Sequence, residues 1–200
     1  MKLLYSLFLL LVPLRLWGDQ FNEGDSPSHK IHFEVRGKDE NSKEIWLSPE
    51  NHKEKAVKLC ETEAWGNLEV HFSSDDFWII VQDGGASLGI DLTLFQRVKG
   101  VTFKEIKDAN IGDKAEHIAL AQAGVPDEEG LDHRYIRVEY WTDDSRFVLV
   151  RLYGAGSNQG KYPLSVAAWY GFYDLGKGDF TFDFRKINEG SVVKNPKQTQ

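Results

Sequence analysis

Two stretches of this chain repeat one another. Leu68–Val81 reads LEVHFSSDDFWIIV and Ile136–Val150 reads IRVEYWTDDSRFVLV. Each is an alternating strand, a polar turn and a run of apolar β-formers. Leu68, Val70 and Phe72 share one side, as do Ile136, Val138 and Tyr140, with polar residues between them. Period-two alternation predicts half-buried strands. Phe77–Val81 has no polar break, the pattern of a strand covered on both faces. A repeated strand–turn–strand unit confines the chain to stacked sheets or blades.

The flanking sequence extends each copy to four strands, over residues 67–107 and 135–186. In the first, QDGGAS and RVKG are turns around LGIDLTLFQ, and VTFKEIK closes the group. In the second, RFVLVRLYG, LSVAAWYGFYD and DFTFDFRK are strands, with Phe180, Phe182 and Phe184 expected on one side. Between the copies, Ala115, Ile118 and Ala119 stand at helical spacing. Asp113 as a cap and Gly124 as a stop predict one short helix there. Ahead of both copies, KIHFEVRG reads as a strand and IWL as a short one. SPENHKEKAVKL reads either as a helix capped at Ser48 and Pro49 or as a turn before a strand. The expected fold is mainly β: duplicated four-stranded antiparallel meanders with one short helix between them. They are arranged like propeller blades or packed as a β-sandwich.

The turns carry a resemblance. An apolar residue, a hydroxyl, Pro or a small polar residue, an acid and then Asp, Ser or Asn occur at Phe72–Asp76 and Trp141–Ser145, with a third copy at Leu47–Asn51. This resembles the SPDG-type hairpin of TolB-like and WD40-like β-propeller repeats. WYGFYDLGKGDFTF also resembles the third and fourth strands of such a blade. The resemblance implies a scaffold for binding rather than an activity.

Lys2, the apolar run Leu3–Leu14 and the small Gly18 read as a signal peptide over residues 1–18. The run is interrupted by Pro13 and Arg15 and is too short to span a bilayer. The expected location is periplasmic or extracellular, with an uncleaved anchor as the alternative. Residues 19–28 read as a polar leader, 29–187 as a single β domain and 188–200 as a disordered tail. The whole chain has a formal net charge of −7, and without Lys2 and Arg15 it is −9. That argues against nucleic acid, and against membrane contact beyond export. Cys60 is the only cysteine, so no intramolecular disulfide forms. Its apolar neighbours suggest a buried unreactive thiol; a bridge between chains is the alternative.

Adjacent aspartates can bind a hard cation or share a proton. Within a turn they instead accept backbone N–H groups two residues ahead. Asp75, Asp76, Asp143 and Asp144 are therefore assigned to structural turns. Gly85–Gly89 spells G-x-S-x-G, which in α/β-hydrolases places serine on a strand-to-helix turn. Ser87, with Asp108 or Asp113 and His117 or His133, is the hydrolase alternative. Yet IDLTLFQ follows and alternates as a strand, and the glycines suit a hairpin. The six histidines show no zinc-binding spacing, so neither metal nor cofactor is expected. Trp78, Trp141, Tyr153, Trp169 and Tyr170 are the candidate binding residues, able to stack on sugars or anchor a protein. The expected function is an exported, non-catalytic binding or protein-interaction module. A small secreted serine hydrolase using Ser87 and a carbohydrate-binding module are the alternatives.

Overall fold

The computed structural model describes residues 22–39, 42–63, 68–85, 89–125, 130–156, 164–181, 184, 188–189 and 191–194. The signal-peptide segment 1–18 lies outside the described residues. Strands β1 (Glu23–Asp25), β2 (Ile31–Asp39), β3 (Ser42–Pro49) and β4 (Val57–Thr62) form an antiparallel sheet in chain order. Strands β5 (Leu68–Phe72), β6 (Trp78–Gly85), β7 (Gly89–Lys99) and β8 (Thr102–Glu105) form a meander. Helix α1 (Ile111–Gln122) leads to a second meander of β9 (Leu131–Trp141), β10 (Phe147–Gly156), β11 (Leu164–Asp174) and β12 (Asp179–Thr181). A last strand, β13 (Val192–Lys194), pairs with the start of β11.

Several expectations shift. Part of the polar leader is β1, and part of the expected disordered tail is β13. The ambiguous stretch after Pro49 is a single 3-10 turn, Lys53–Lys55, followed by β4. Phe180 packs on Trp169 and Tyr173, whereas Phe184 packs on Phe172, so the two lie against opposite faces of β11. Phe182 lies outside the described residues.

The described strands form three units stacked face to face, of four strands, four strands and five including β13, and β6 shows why. Ile79 and Val81 pack with Ile31, Phe33, Ile45 and Leu47 of the first sheet. Ile80 turns the other way, toward Leu92, Leu94, α1 and Val148, Val150 and Leu152 of the last unit. All three β6 side chains are at most 2% exposed. The middle and last units are also joined edge to edge by a short parallel pairing, Gly89 with Arg134 and Ile90 with Tyr135. Gly89 has φ +117, and a Cβ there would lie 1.8 Å from the Arg134 carbonyl oxygen. Only glycine permits that approach.

Helix α1 wedges between these two units through Ala115, Ala119 and Leu120. Its N-cap is Asn110, in the left-handed region at φ 43, and Asp113 falls in the first turn rather than at the cap. Gly124 at φ 64 ends the helix, with Val125 N–H donating to Leu120 O at 2.9 Å. Two polar tethers cross the same interface. Val138 N–H, beside a bulge in β9, donates to buried Gln82 Oε1 at 3.1 Å. Tyr173 donates its hydroxyl to Ala109 O at 3.2 Å.

Among the described residues, one turn geometry occurs three times, at Ser26–His29, Ser73–Asp76 and Thr142–Ser145. In each, the first N–H donates to the carbonyl five residues on and the fourth N–H donates to the first carbonyl. In each, the fourth residue is left-handed: His29 at φ 56, Asp76 at 58 and Ser145 at 55. In each, the first hydroxyl accepts the N–H five residues on, from Ile31, Trp78 or Phe147. The third copy expected at Leu47–Asn51 is not one of them, because Leu47–Pro49 belongs to β3. The first copy is SPSH, which begins inside the stretch read as a leader and ends at His29, the first residue of the expected domain.

The aspartate pairs are also not equivalent. Asp75 and Asp144 both hold the third position and accept the N–H two residues ahead, from Phe77 and Arg146. Asp76 holds the fourth position and Asp143 the second. Residue Glu139 is the extra residue of the β9 bulge, so the offset between copies arises in the strand and not in the turn. The Thr142 hydroxyl, then Arg146 N–H, hold the Asp144 carboxyl below its ordinary range. Burial pushes Asp75 up, but the Ser73 hydroxyl and Phe77 N–H outweigh it and its carboxyl also sits low.

The turns bond to each other in series. Ser28 N–H donates to Asp76 Oδ1 at 3.4 Å, and Asp75 N–H donates to Ser145 Oγ at 3.1 Å. In both, a third-position N–H meets the fourth-position side chain of the next turn. Asp76, 1% exposed, also accepts the Ser26 hydroxyl at 2.9 Å and the Ser28 hydroxyl.

Asp76→Ala is expected to lower the unfolding free energy by about 2 kcal/mol, since it strands the buried Ser26 hydroxyl and removes the acceptor of both Ser28 donors. Asp143→Ala, at an exposed position, should stay within about 0.5 kcal/mol of wild type. Urea denaturation of both variants checks this contrast. A second expectation concerns alkaline pH. Burial, then the Asp179 and Asp108 carboxylates, push the Tyr173 hydroxyl from 10.0 up to about 12. The fold thus favours the neutral phenol, and that contribution is full below about 10 and lost as pH rises through about 12. Wild type should lose more stability than Tyr173→Phe across that window, read by thermal melts at stepped pH.

Candidate functional site

The last unit has one face in the core and one turned outward. On β10, Val148, Val150 and Leu152 are fully buried, while Phe147, Leu149, Arg151 and Tyr153 alternate to the other side. The register carries this outward row across the sheet. Leu149 stands between Tyr140 and Phe172, Arg151 between Arg137 and Tyr170, and Tyr153 beside Tyr135. The bulge at Glu139 decides which side chains appear. It places Val138 opposite Val150 and Tyr140 opposite Leu149. Arg137 and Tyr140 therefore both face outward, and Trp141 packs into the core.

The outer face is built from stacked rings and guanidinium groups. The Tyr135 and Tyr153 rings stack at 5.1 Å with planes 10° apart. Arg137 and Arg151 lie 5.9 and 5.7 Å from the Tyr153 centroid. Arg151 Nε is 2.8 Å from Glu139 Oε1. Tyr140 meets Phe172 edge-on at 6.1 Å and is 48% exposed. Arginine over tyrosine is favourable and keeps its charge at any working pH. Such a surface can stack planar or apolar groups and pair with carboxylates. Among the described residues no group of three His, Cys, Asp or Glu is placed to hold a metal ion.

The five candidate binding residues divide between the two faces. Trp78, Trp141 and Trp169 pack on the core cluster. Trp169 is 2% exposed and donates its indole N–H to Gln122 Oε1 at 3.1 Å. Tyr153 and Tyr170 lie on the outer face, where Asn188 bonds both backbone groups of Tyr170. Sequence reasoning passed over Tyr135, Arg137, Tyr140 and Arg151. Their signal is cross-strand adjacency, which needs the register and the bulge. Ser87 lies outside the described residues. Its flanks are the antiparallel strands β6 and β7, paired from Gly85 to Gly89, so no helix follows to make a nucleophile elbow.

A concavity of about 150 Å³ lies between β7 and the start of α1. Two of its acidic lining residues, Asp91 and Asp113, belong to a structural clamp. Arg134 is paired with Asp91 at 3.1 Å, with Glu116 at 3.3 Å and with Asp113. This ties α1 to β7 and β9. Cys60 is a free, half-buried thiol. Burial, then the Asp83 and Glu105 carboxylates, push it up to about 12, so little thiolate forms.

No family model matches the chain. No curated protein matches it either. Among solved structures, a weak resemblance is found to the crystal structure of TolB from Acinetobacter baumannii, with 12% identity and a TM-score of 0.41. The match covers 80% of this chain and 31% of that one.

The stacked tyrosines give a direct test of the site's rigidity. A double-mutant cycle of Tyr135→Ala and Tyr153→Ala should return a coupling of about 0.5–1.5 kcal/mol, the range of a stacked aromatic pair. A coupling near zero in urea unfolding would show that the rings do not support one another.

Proposed function

We propose that this chain is an exported, non-catalytic interaction module whose partner docks on the outer face of β9, β10 and β11. The observation that carries this reading is the composition of that face. Tyr135, Tyr140 and Tyr153 lie beside Arg137 and Arg151, and tyrosine and arginine are enriched at interface centres. The recurring turn and the stacked units suit a blade-like repeat array, an architecture that presents faces rather than reactive groups. The charge and apolar run of residues 1–18 support export. A protein partner fits better than a glycan, because Tyr135 and Tyr153 cover one another and leave Tyr140 as the exposed ring.

Tyr140→Glu is the discriminating variant, since its ring is already half in water and the fold should survive the change. Purified full chain, immobilised, should retain envelope protein, and Tyr140→Glu should weaken retention on the order of tenfold. Equal retention by both forms, or binding confined to a glycan array, sinks the proposal.

A further inference from the structure

Among the described residues, the bonded turns form a series with two unfinished ends. Third-position Ser28 meets fourth-position Asp76, and third-position Asp75 meets fourth-position Ser145. At the far end the third position is Asp144, which is exposed. At the near end the fourth position is His29, whose side chain is 74% exposed and lies 4.0 Å from Asp25 Oδ2 of its own unit. Asp144 thus stands where a following turn would bond, and His29 where a preceding one would. The sheet faces that go with these ends also continue the stacking. The last unit presents its tyrosine–arginine face. The first sheet presents the side of β2 and β3 away from its core, where Glu34 is opposite Trp46 and Arg36 is opposite Glu44. There the Arg36 guanidinium lies 4.7 Å over the Trp46 ring. Both faces are part-exposed and both pair a cation with an aromatic; one carries Arg137 and Arg151 with Glu139 on Arg151, the other Glu34 and Glu44 with Arg36 and Lys58 as their partners, so each offers both signs of charge to the other.

We propose that two copies of this chain associate head to tail. The β9–β11 face of each covers the β2–β3 face of the other, and Asp144 of one meets His29 of the other. This rests on the reading of the outer face as a docking surface and names its partner. The contact is heterologous, repeating between copies the turn-to-turn bond already made twice within each. Such contacts form rings when the rotation closes, and two three-unit copies reach the number of sheets that closed propellers contain.

Sedimentation of the full chain tests this. Wild type is expected to form a dimer at micromolar concentration. Tyr140→Glu and His29→Gly should each weaken it by about tenfold or more. Glycine suits the left-handed backbone at His29, and circular dichroism confirms that both variants fold. Mixing the two variants should restore a dimer, because one of the two head-to-tail contacts then has both partners intact. A monomer at every concentration overturns the proposal. So does a His29→Gly chain that dimerises like wild type, the outcome of an isologous face-to-face pair. A monomeric wild type that still retains another protein through Tyr140 removes self-association and leaves the proposed interaction function standing.

Discussion

A buried carboxylate with three hydrogen-bond donors around it sets the geometry on which the stack depends. Asp76 is a turn residue of the middle unit, yet its partners are the hydroxyls of Ser26 and Ser28 and the N–H of Ser28 in the first. Charged acceptors make the stronger hydrogen bonds and are costly to leave unmet in the interior. The first sheet is therefore held where it satisfies Asp76. That position brings Ile31 and Phe33 onto Ile79 and Val81. Ser145 repeats the arrangement with a neutral hydroxyl one unit further on, where α1 and Gln82 add other ties.

Much of this was legible. The unbroken apolar run of β6, the short helix and the two meanders follow from periodicity alone, because each side of a strand reports its own burial. The turns were harder. The aspartate pairs align by eye, but Asp75 matches Asp144 and not Asp143. The bulge at Glu139 adds a residue upstream, and a bulge leaves no compositional mark in IRVEYW. The first turn, SPSH, carries no acid and sits among polar residues, so it looked like a leader. Its bonds come from Ser26 and from the left-handed backbone of His29, and histidine, although enriched in that conformation, marks a turn less plainly than glycine or asparagine does.

The candidate site shows a similar division. Tryptophan drew attention in the sequence, yet Trp78, Trp141 and Trp169 fill the wedge between the middle and last units that α1 helps to open. Large rings are what such a gap requires, and Gln122 gives one indole its partner. The outward row uses tyrosine and arginine instead, whose polar ends tolerate water while their flat surfaces stack. Residue type distinguishes these roles only after the register assigns each side chain to a face.

The pairing of Gly89 with Arg134 has a consequence for how the molecule opens. It makes the middle and last units one continuous hydrogen-bonded sheet, clamped further by Arg134 and α1. Among the described residues, no strand pairing links the first sheet to that block; it adheres through side chains and the Ser28–Asp76 contact. The molecule is accordingly divided into two cooperative parts of unequal strength. Amides of β2 and β3 should exchange with solvent through a partial detachment that leaves β6, β7 and β10 protected, so the face bearing Trp46 and Glu34 belongs to the part that comes away first.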